Sequence, residues 1–270
     1  MENGVFLDQS LIAIGLELLV LFVVVSFVGY RIGRKHSTLD DGAKRERVVG
    51  TTAGAMLALT GFMLAVSLSM ADAHFQVRRK LILDEANAIG TSRLRAMTIG
   101  GPHGTEIVRL LREYAELRLE YFAAGEDAAR LRSVDQRTSQ LQQRIWDHSS
   151  AIAQTAPDPI SALLLSTLNE TFDLATARRW AREVRVPPYV IVVLLALSVL
   201  TMGLVGNYFG ASGIRYPLLS GVLFTAFTVT ILLVLDLNRP RAGLITAEQS
   251  ALKWAIEDMG PETPSPSPGR

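Results

Sequence analysis

Apolar residues collect in four windows of about twenty, Leu11–Tyr30, Gly50–Met70, Tyr189–Tyr208 and Tyr216–Leu235, and polar sequence fills the long gap between the second and third. At about 1.5 Å rise per residue, each window makes a helix of roughly 30 Å, the thickness of a bilayer's hydrocarbon core. Within lipid a backbone amide must find its partner inside its own segment, so the windows predict spanning helices and not strands. The block between them shows no period-two alternation, and its apolar residues recur at helical spacing. The expected fold class is therefore all-α: four transmembrane helices in two pairs flank a helical extramembrane domain, and the second span continues into that domain.

This pattern divides the chain into a first hairpin (1–70), a helical domain (71–186), a second hairpin (187–236) and a mostly disordered tail (237–270), in which the Pro- and Ser-rich run from Gly260 cannot bury a core. No breaker follows Met70 until Gly100-Gly101-Pro102, so the second helix is expected to reach about Thr98, with Phe75, Leu81, Ala86, Ile89, Leu94 and Met97 along one face. Thr105 is the expected N-cap of the next helix and Gly125 its C-terminal glycine. A heptad seam then runs through Leu131, Val134, Thr138, Leu141, Ile145, His148 and Ile152, and Pro157 and Pro159 end it. A last helix spans Ile160 to about Arg185.

Composition narrows function more than fold. The chain carries 27 Lys and Arg against 26 Asp and Glu, a net charge of +1, which offers no basis for a nucleic-acid partner. It has no cysteine, which removes disulfides, thiol catalysis and thiolate metal sites. His36, His74, His103 and His148 lack metal-ligand spacing, and Asp84 and Glu85, being adjacent, point in different directions and cannot form a catalytic carboxylate pair. The reading is that of a non-enzyme without cofactor or metal. The leader carries Glu2 and Asp8 and no cation, so it does not read as a signal peptide. Six basic residues between the first two spans place that linker in the cytoplasm and the N-terminus outside a cell membrane crossed four times. Arg78, Arg79, Lys80 and the four arginines from Arg178 to Arg185 pull the other way.

The spans differ in kind. The first is bulky and suited to lipid. In the second, Gly50, Gly54, Ala58, Gly61, Ala65, Ser69 and Ala73 form a stripe that admits another helix closely, either within one subunit or at a subunit interface or pore. Thr60 and Ser67, seven apart, and Phe62, the only aromatic of that span, are the pore-lining candidates. Glu17 is the one carboxylate inside a span; it either takes part in ion passage or pairs near the interface with Arg239 or Arg241. Gly203, Gly206, Gly210 and Gly213, at the end of the third span, read as a tight turn or a flexible re-entry.

The most specific run lies just past the second span: Arg78-Arg79-Lys80, then Glu85-Ala86-Asn87-Ala88-Ile89-Gly90. Glu85 and Asn87 sit on an otherwise apolar stretch and need partners; Arg178 or Arg179, on the returning helix, are the expected ones. The Glu85–Gly90 run after an Arg pair, supported by Asn169–Asp173 and Ala177-Arg178-Arg179, resembles the signature of a bacterial bestrophin-like integral membrane family over roughly Gly50 to Leu235. The resemblance implies a four-span homo-oligomer, a pentamer by analogy, that conducts inorganic anions, with both termini and the central domain cytoplasmic. The acidic calcium-clasp cluster of bestrophins has no counterpart after the last span here, so calcium gating is not implied. Two functions follow. In one, the second span lines an anion channel, and Arg78, Arg79 and Lys80 form its vestibule. In the other, a non-conducting sensor or scaffold uses the helical domain to bind a partner.

Overall fold

The computed structural model describes residues 10–36, 42–125, 127–213, 217–239 and 244–260. Among them are eight helices and no strand: α1 (Leu11–His36), α2 (Gly42–Ile99), α3 (Gly101–Ala123), α4 (Ala128–Thr155), α5 (Pro159–Glu183), α6 (Pro188–Ala211), α7 (Pro217–Leu237) and α8 (Ser250–Glu257). Four helices are long and apolar enough to cross a membrane, as the four windows require. α2 runs unbroken for 58 residues, so the second span does continue far past Met70.

The chain resolves into two compact units. One comprises 1–74, 185–239 and 243–245; the other comprises 75–184, 240–242 and 246–270. The first unit is a bundle of α1, α6, α7 and the first part of α2, with a core of Ile14, Leu18, Phe22, Leu64, Leu194, Met202, Phe224 and Ile231. Its tightest seam is between α1 and α6. A Cβ built on Gly29 would overlap the Gly203 carbonyl oxygen, one on Gly206 the Ser26 carbonyl, and one on Gly210 the Tyr30 carbonyl. The glycines expected to form a turn therefore serve helix packing, except Gly213, whose φ of 67° lies just past α6. Where lipid offers no hydrophobic drive between helices, backbone contact across small residues supplies the association. α1 is thus only partly a lipid surface: Ile12, Leu16, Val20, Val24 and Phe27 are exposed, but the opposite side is fully packed. Near the ends of the spans, Asn238 Oδ1 accepts from Val186 N at 2.7 Å, and the Asp236 carboxylate accepts from Leu244 N and Ile245 N at 2.7 and 2.9 Å.

The second unit packs α3, α4, α5, α8 and the remainder of α2 around Ile89, Ile107, Leu110, Leu111, Tyr114, Ile145, Leu164 and Leu168, all fully buried. Each such side chain contributes about 1.5–3 kcal/mol relative to exposure. The helix ends follow local chemistry. Gly100 and Gly101, with φ of 65° and 66°, make the turn into α3, and Pro102 sits in its first turn, where a missing amide is harmless. α3 accordingly starts before Thr105, whose hydroxyl donates to Gly101 O inside the helix and caps nothing. Asp127 caps α4 through Ala129 N and Arg130 N. Asp158 and Ser161 form a reciprocal capping box at α5.

Three expectations change. The buried seam of α4 passes through Ser149 rather than His148, because the step after Ile145 is four residues and not three. Leu94 and Met97 are exposed, and Ile82, Ala88, Ser92 and Ala96 take the inner face of α2 in their place. The segment after the last span is not featureless: α8 packs on α3, with Leu252 fully buried and Ala251, Ala255, Ile256 and Met259 against the same core. These residues recur at helical spacing, which gives a short helix one apolar face. The Pro- and Ser-rich run expected to be disordered lies outside the described residues.

Candidate functional site

In the first unit, the span of α2 has two unlike faces. Thr60 is fully buried; its hydroxyl lies 2.7 Å from that of Thr201 on α6 and 2.8 Å from Met56 O. Ser67 is also fully buried and donates to Met63 O. Both hydroxyls point into the bundle, which corrects their assignment to an ion path: a polar group in an apolar bundle is held where a partner waits, and α6 and the helix's own carbonyls supply one. The outer face carries Thr51, Gly54, Ala55, Ala58, Gly61, Phe62, Ala65 and Ser69, with Leu59 and Val66 beside them, all exposed. Nothing lies within 4 Å of a Cβ built on Gly54 or Gly61. Phe62, 64% exposed, is the one pore candidate on this face. Glu17 projects from the exposed side of α1, and no ion pair joins it to Arg239 among the described residues. Arg241 lies outside them.

In the second unit, the run from Arg78 to Gly90 divides in the same way. Glu85 is fully buried, with Arg118 Nε 2.7 Å from Oε1, Tyr114 OH 3.2 Å from the same oxygen, and Arg178 Nη1 bonded to Oε2. Of the two expected partners, Arg178 meets Glu85, while Arg179 is exposed and lies 3.7 Å from Asp135. Arg118 was not anticipated. Its position on α3, four residues after Tyr114 and three before Tyr121, was the available signal, since all three lie on the apolar stripe of that helix. Asn87 is exposed, contrary to the inward position expected, because two residues past Glu85 along a helix is the opposite side. Gly90 borders open space. Arg78 is buried, whereas Arg79 and Lys80 are exposed, with Arg79 over the Phe75 ring at 5.9 Å and Lys80 3.1 Å from Asp84.

Electrostatics follow from this burial. Desolvation alone would raise the Glu85 pKa, but the charges and hydrogen bonds of Arg118 and Arg178 outweigh it and hold the carboxyl below its ordinary value of 4.5. Burial and the adjacent Glu85 push the Tyr114 phenol up, so it remains a donor. Arg118 stays charged: burial disfavours its cation, and Glu85 more than restores it. Gln249 Oε1 accepts from Arg178 Nη2 at 3.0 Å and closes the network. The cluster fixes helices to one another and offers neither a nucleophile nor a proton path. Two histidines that looked scattered do meet, His103 Nδ1 lying 2.9 Å from His148 Nδ1, but no group of three metal-ligating side chains exists among the described residues.

Several solved structures share this architecture. Crystal structures of a bacterial bestrophin homologue from Klebsiella pneumoniae align with TM-scores of 0.64 and 0.65 for two point variants, at 15% and 14% identity. The alignments cover 90% and 93% of this chain and 97% of each of those. A further structure of that homologue aligns at 0.59 with 16% identity, covering 93% of this chain and 97% of the other. At such identities the likeness is one of fold. No curated protein gives a significant sequence match. The family model for the bestrophin-like domain matches residues 18–252, and the chain belongs to that family.

Proposed function

We propose that the protein is a homo-oligomeric anion channel whose ion path runs along the outer face of α2. The observation that carries this reading is the chemistry of that face. α1 presents Ile12, Leu16, Val20, Val24 and Phe27 outward, as a lipid-facing helix does. α2 instead presents a mostly small face, Gly54, Ala55, Ala58, Gly61, Ala65 and Ser69, interrupted by Leu59, Phe62 and Val66, and nothing lies within 4 Å of a Cβ built on Gly54 or Gly61. Small and hydroxylic residues gain little from lipid, and they suit either close approach of a second copy or contact with water. Phe62 is the constriction candidate on this face. Arg79 and Lys80, exposed beyond the span, raise the local anion concentration, and the exposed Asp72 tempers it. Exposed Val77, Leu83, Leu94 and Met97 give α2 an apolar surface beyond the span for contact between copies.

Planar-bilayer recording of the purified protein tests the proposal. Anion-selective unitary currents, with a conductance changed by Phe62→Ala, are the expected result. Reproducible silence across pH and voltage overturns it and returns the chain to a membrane-anchored scaffold.

A further inference from the structure

The second unit holds a cavity of about 50 Å³, bordered among others by Arg78, Tyr121, Arg178, Arg182, Ala247 and Gln249. At ~10–15 Å³ per water it has room for about four waters or one small tetrahedral oxyanion. Its wall is strongly cationic. Three guanidiniums border it, and Arg118 lies against the Tyr121 ring at 4.8 Å while Arg182 lies against the same ring at 5.3 Å. Both oxygens of Glu85, the buried carboxylate beside it, are already taken by Arg118 and Arg178. Both polar atoms of Gln249 are engaged too, Oε1 accepting from Arg178 and Nε2 donating to Ala247 O at 2.9 Å. Arg182 has only a 4.0 Å approach to the exposed Glu183 as an ion pair among the described residues. Its Nη1 is buried and unbonded there, and so is Nη2 of Arg118, a side chain only 2% exposed. Arg118, Arg178 and Arg182 around the single Glu85 carboxylate leave positive charge uncompensated in a largely buried setting, an arrangement that persists when an anion completes it.

We infer that this cavity is a binding site for a tetrahedral oxyanion of the phosphate class, with Arg182 as its principal donor and Arg78 and Arg178 flanking. The forked guanidinium matches phosphate oxygens in pairs, which a compact ammonium cannot do. Two sources offer this chemistry: free inorganic phosphate, and the head group of an anionic phospholipid. The second is in reach because Arg78 lies eight residues past Met70 on the same helix, about 12 Å along its axis. The inference is independent of whether the protein conducts.

The test uses the full chain in detergent and follows thermal unfolding. One arm adds inorganic phosphate, with chloride at matched ionic strength as control; the other adds phosphatidic acid, with phosphatidylcholine as control. At about ten times the dissociation constant, the midpoint of the wild type rises by about 3–6 °C. Arg182→Gln weakens binding at least tenfold, and its midpoint without ligand is no lower than that of the wild type, since an unpaired charge has been removed. General salting effects cancel in the difference between the two proteins. A response to both ligands, or to phosphate alone, supports the site with a free anion; a response to phosphatidic acid alone supports it with a lipid head group. If Arg182→Gln fails to fold, Arg182→Lys keeps the charge without the fork and is expected to bind several-fold more weakly. Equal responses of wild type and variant in both arms overturn the inference.

Discussion

Replacing Glu85 by Gln isolates the charge that holds the second unit together. Gln preserves the shape and one acceptor oxygen, so Tyr114 and Arg118 keep a hydrogen-bond partner, but the two guanidiniums lose their counter-charge. Glu85 is fully buried, with Arg118 at 2.7 Å and 2% exposed. Breaking such a pair costs about 3–5 kcal/mol, because the stranded cation and not the lost attraction dominates. Arg178 retains Gln249 at 3.0 Å and Arg118 retains the Tyr121 ring, which places the expected loss near 3 kcal/mol. Asp84→Asn, next along the chain, is the internal control. Its pair with Lys80 is 77% and 33% exposed, so it should change stability by less than about 0.5 kcal/mol. Denaturant unfolding of the detergent-solubilised protein measures both. The pH series adds a second readout. The Glu85 pKa is lower folded than unfolded, so the unfolded chain binds the proton more readily. The stabilisation is therefore complete above the unfolded value, near 4.5, and is lost as pH falls through the folded one. Glu85→Gln should lack that acid-dependent component. A loss below about 1 kcal/mol, with an acid profile like that of the wild type, would refute the electrostatic account.

Four further outcomes are expected. Gly206→Ala, whose Cβ would overlap the Ser26 carbonyl, forces α1 and α6 apart and lowers the thermal midpoint by the equivalent of about 1–3 kcal/mol. Thr60→Val removes the hydroxyl pair with Thr201 at a cost of about 0.6 kcal/mol and leaves reversal potentials unchanged; altered ion selectivity would put Thr60 back on the ion path. Asp158→Ala removes the cap of α5 and costs about 0.5–2 kcal/mol in denaturant unfolding. Leu252→Ala loosens α8 from its core at about 2–5 kcal/mol, read as faster amide exchange of α8.

The architecture was legible because its signals are long. Twenty apolar residues in a row admit few structures, and a span followed by no breaker from Met70 to Ile99 continues as one helix, which is what α2 is. Short elements were lost where a local cue competed with a global one. Thr105 has the chemistry of a cap, but the two glycines before it already turn the chain, so the helix begins at Gly101. α8 was hidden by the Pro- and Ser-rich sequence beyond it, although Leu252, Ala255, Ile256 and Met259 repeat at helical spacing. Gly29, Gly206 and Gly210 show a different limit. Small residues announce that something comes close, and only the packed bundle says that the visitor is the other helix's backbone.

The candidate site was harder to read for a reason that lies in helical geometry. Periodicity establishes which residues share a face and is silent about which face looks inward. Thr60 and Ser67 were correctly placed together, seven residues apart, yet their common face turns toward the bundle, where Thr201 and carbonyl oxygens satisfy them. The same rule works in reverse at Glu85. An acid on an apolar face cannot remain buried alone, so energetics demands a basic partner from a distant segment, and Arg178 answers that demand. The number of partners was not demanded, because one carboxylate can accept two guanidiniums; Arg118 on the apolar stripe of α3 needed a partner of its own, but the pattern did not say that it shares Glu85. Inward polar groups thus report on packing, whereas Phe62, Arg79 and Lys80 are exposed, and the proposed ion path rests on such outward residues. On that division the test of conduction belongs on Phe62 and the test of folding on Glu85, and a variant that impaired both at once would show that the two faces of α2 are not independent.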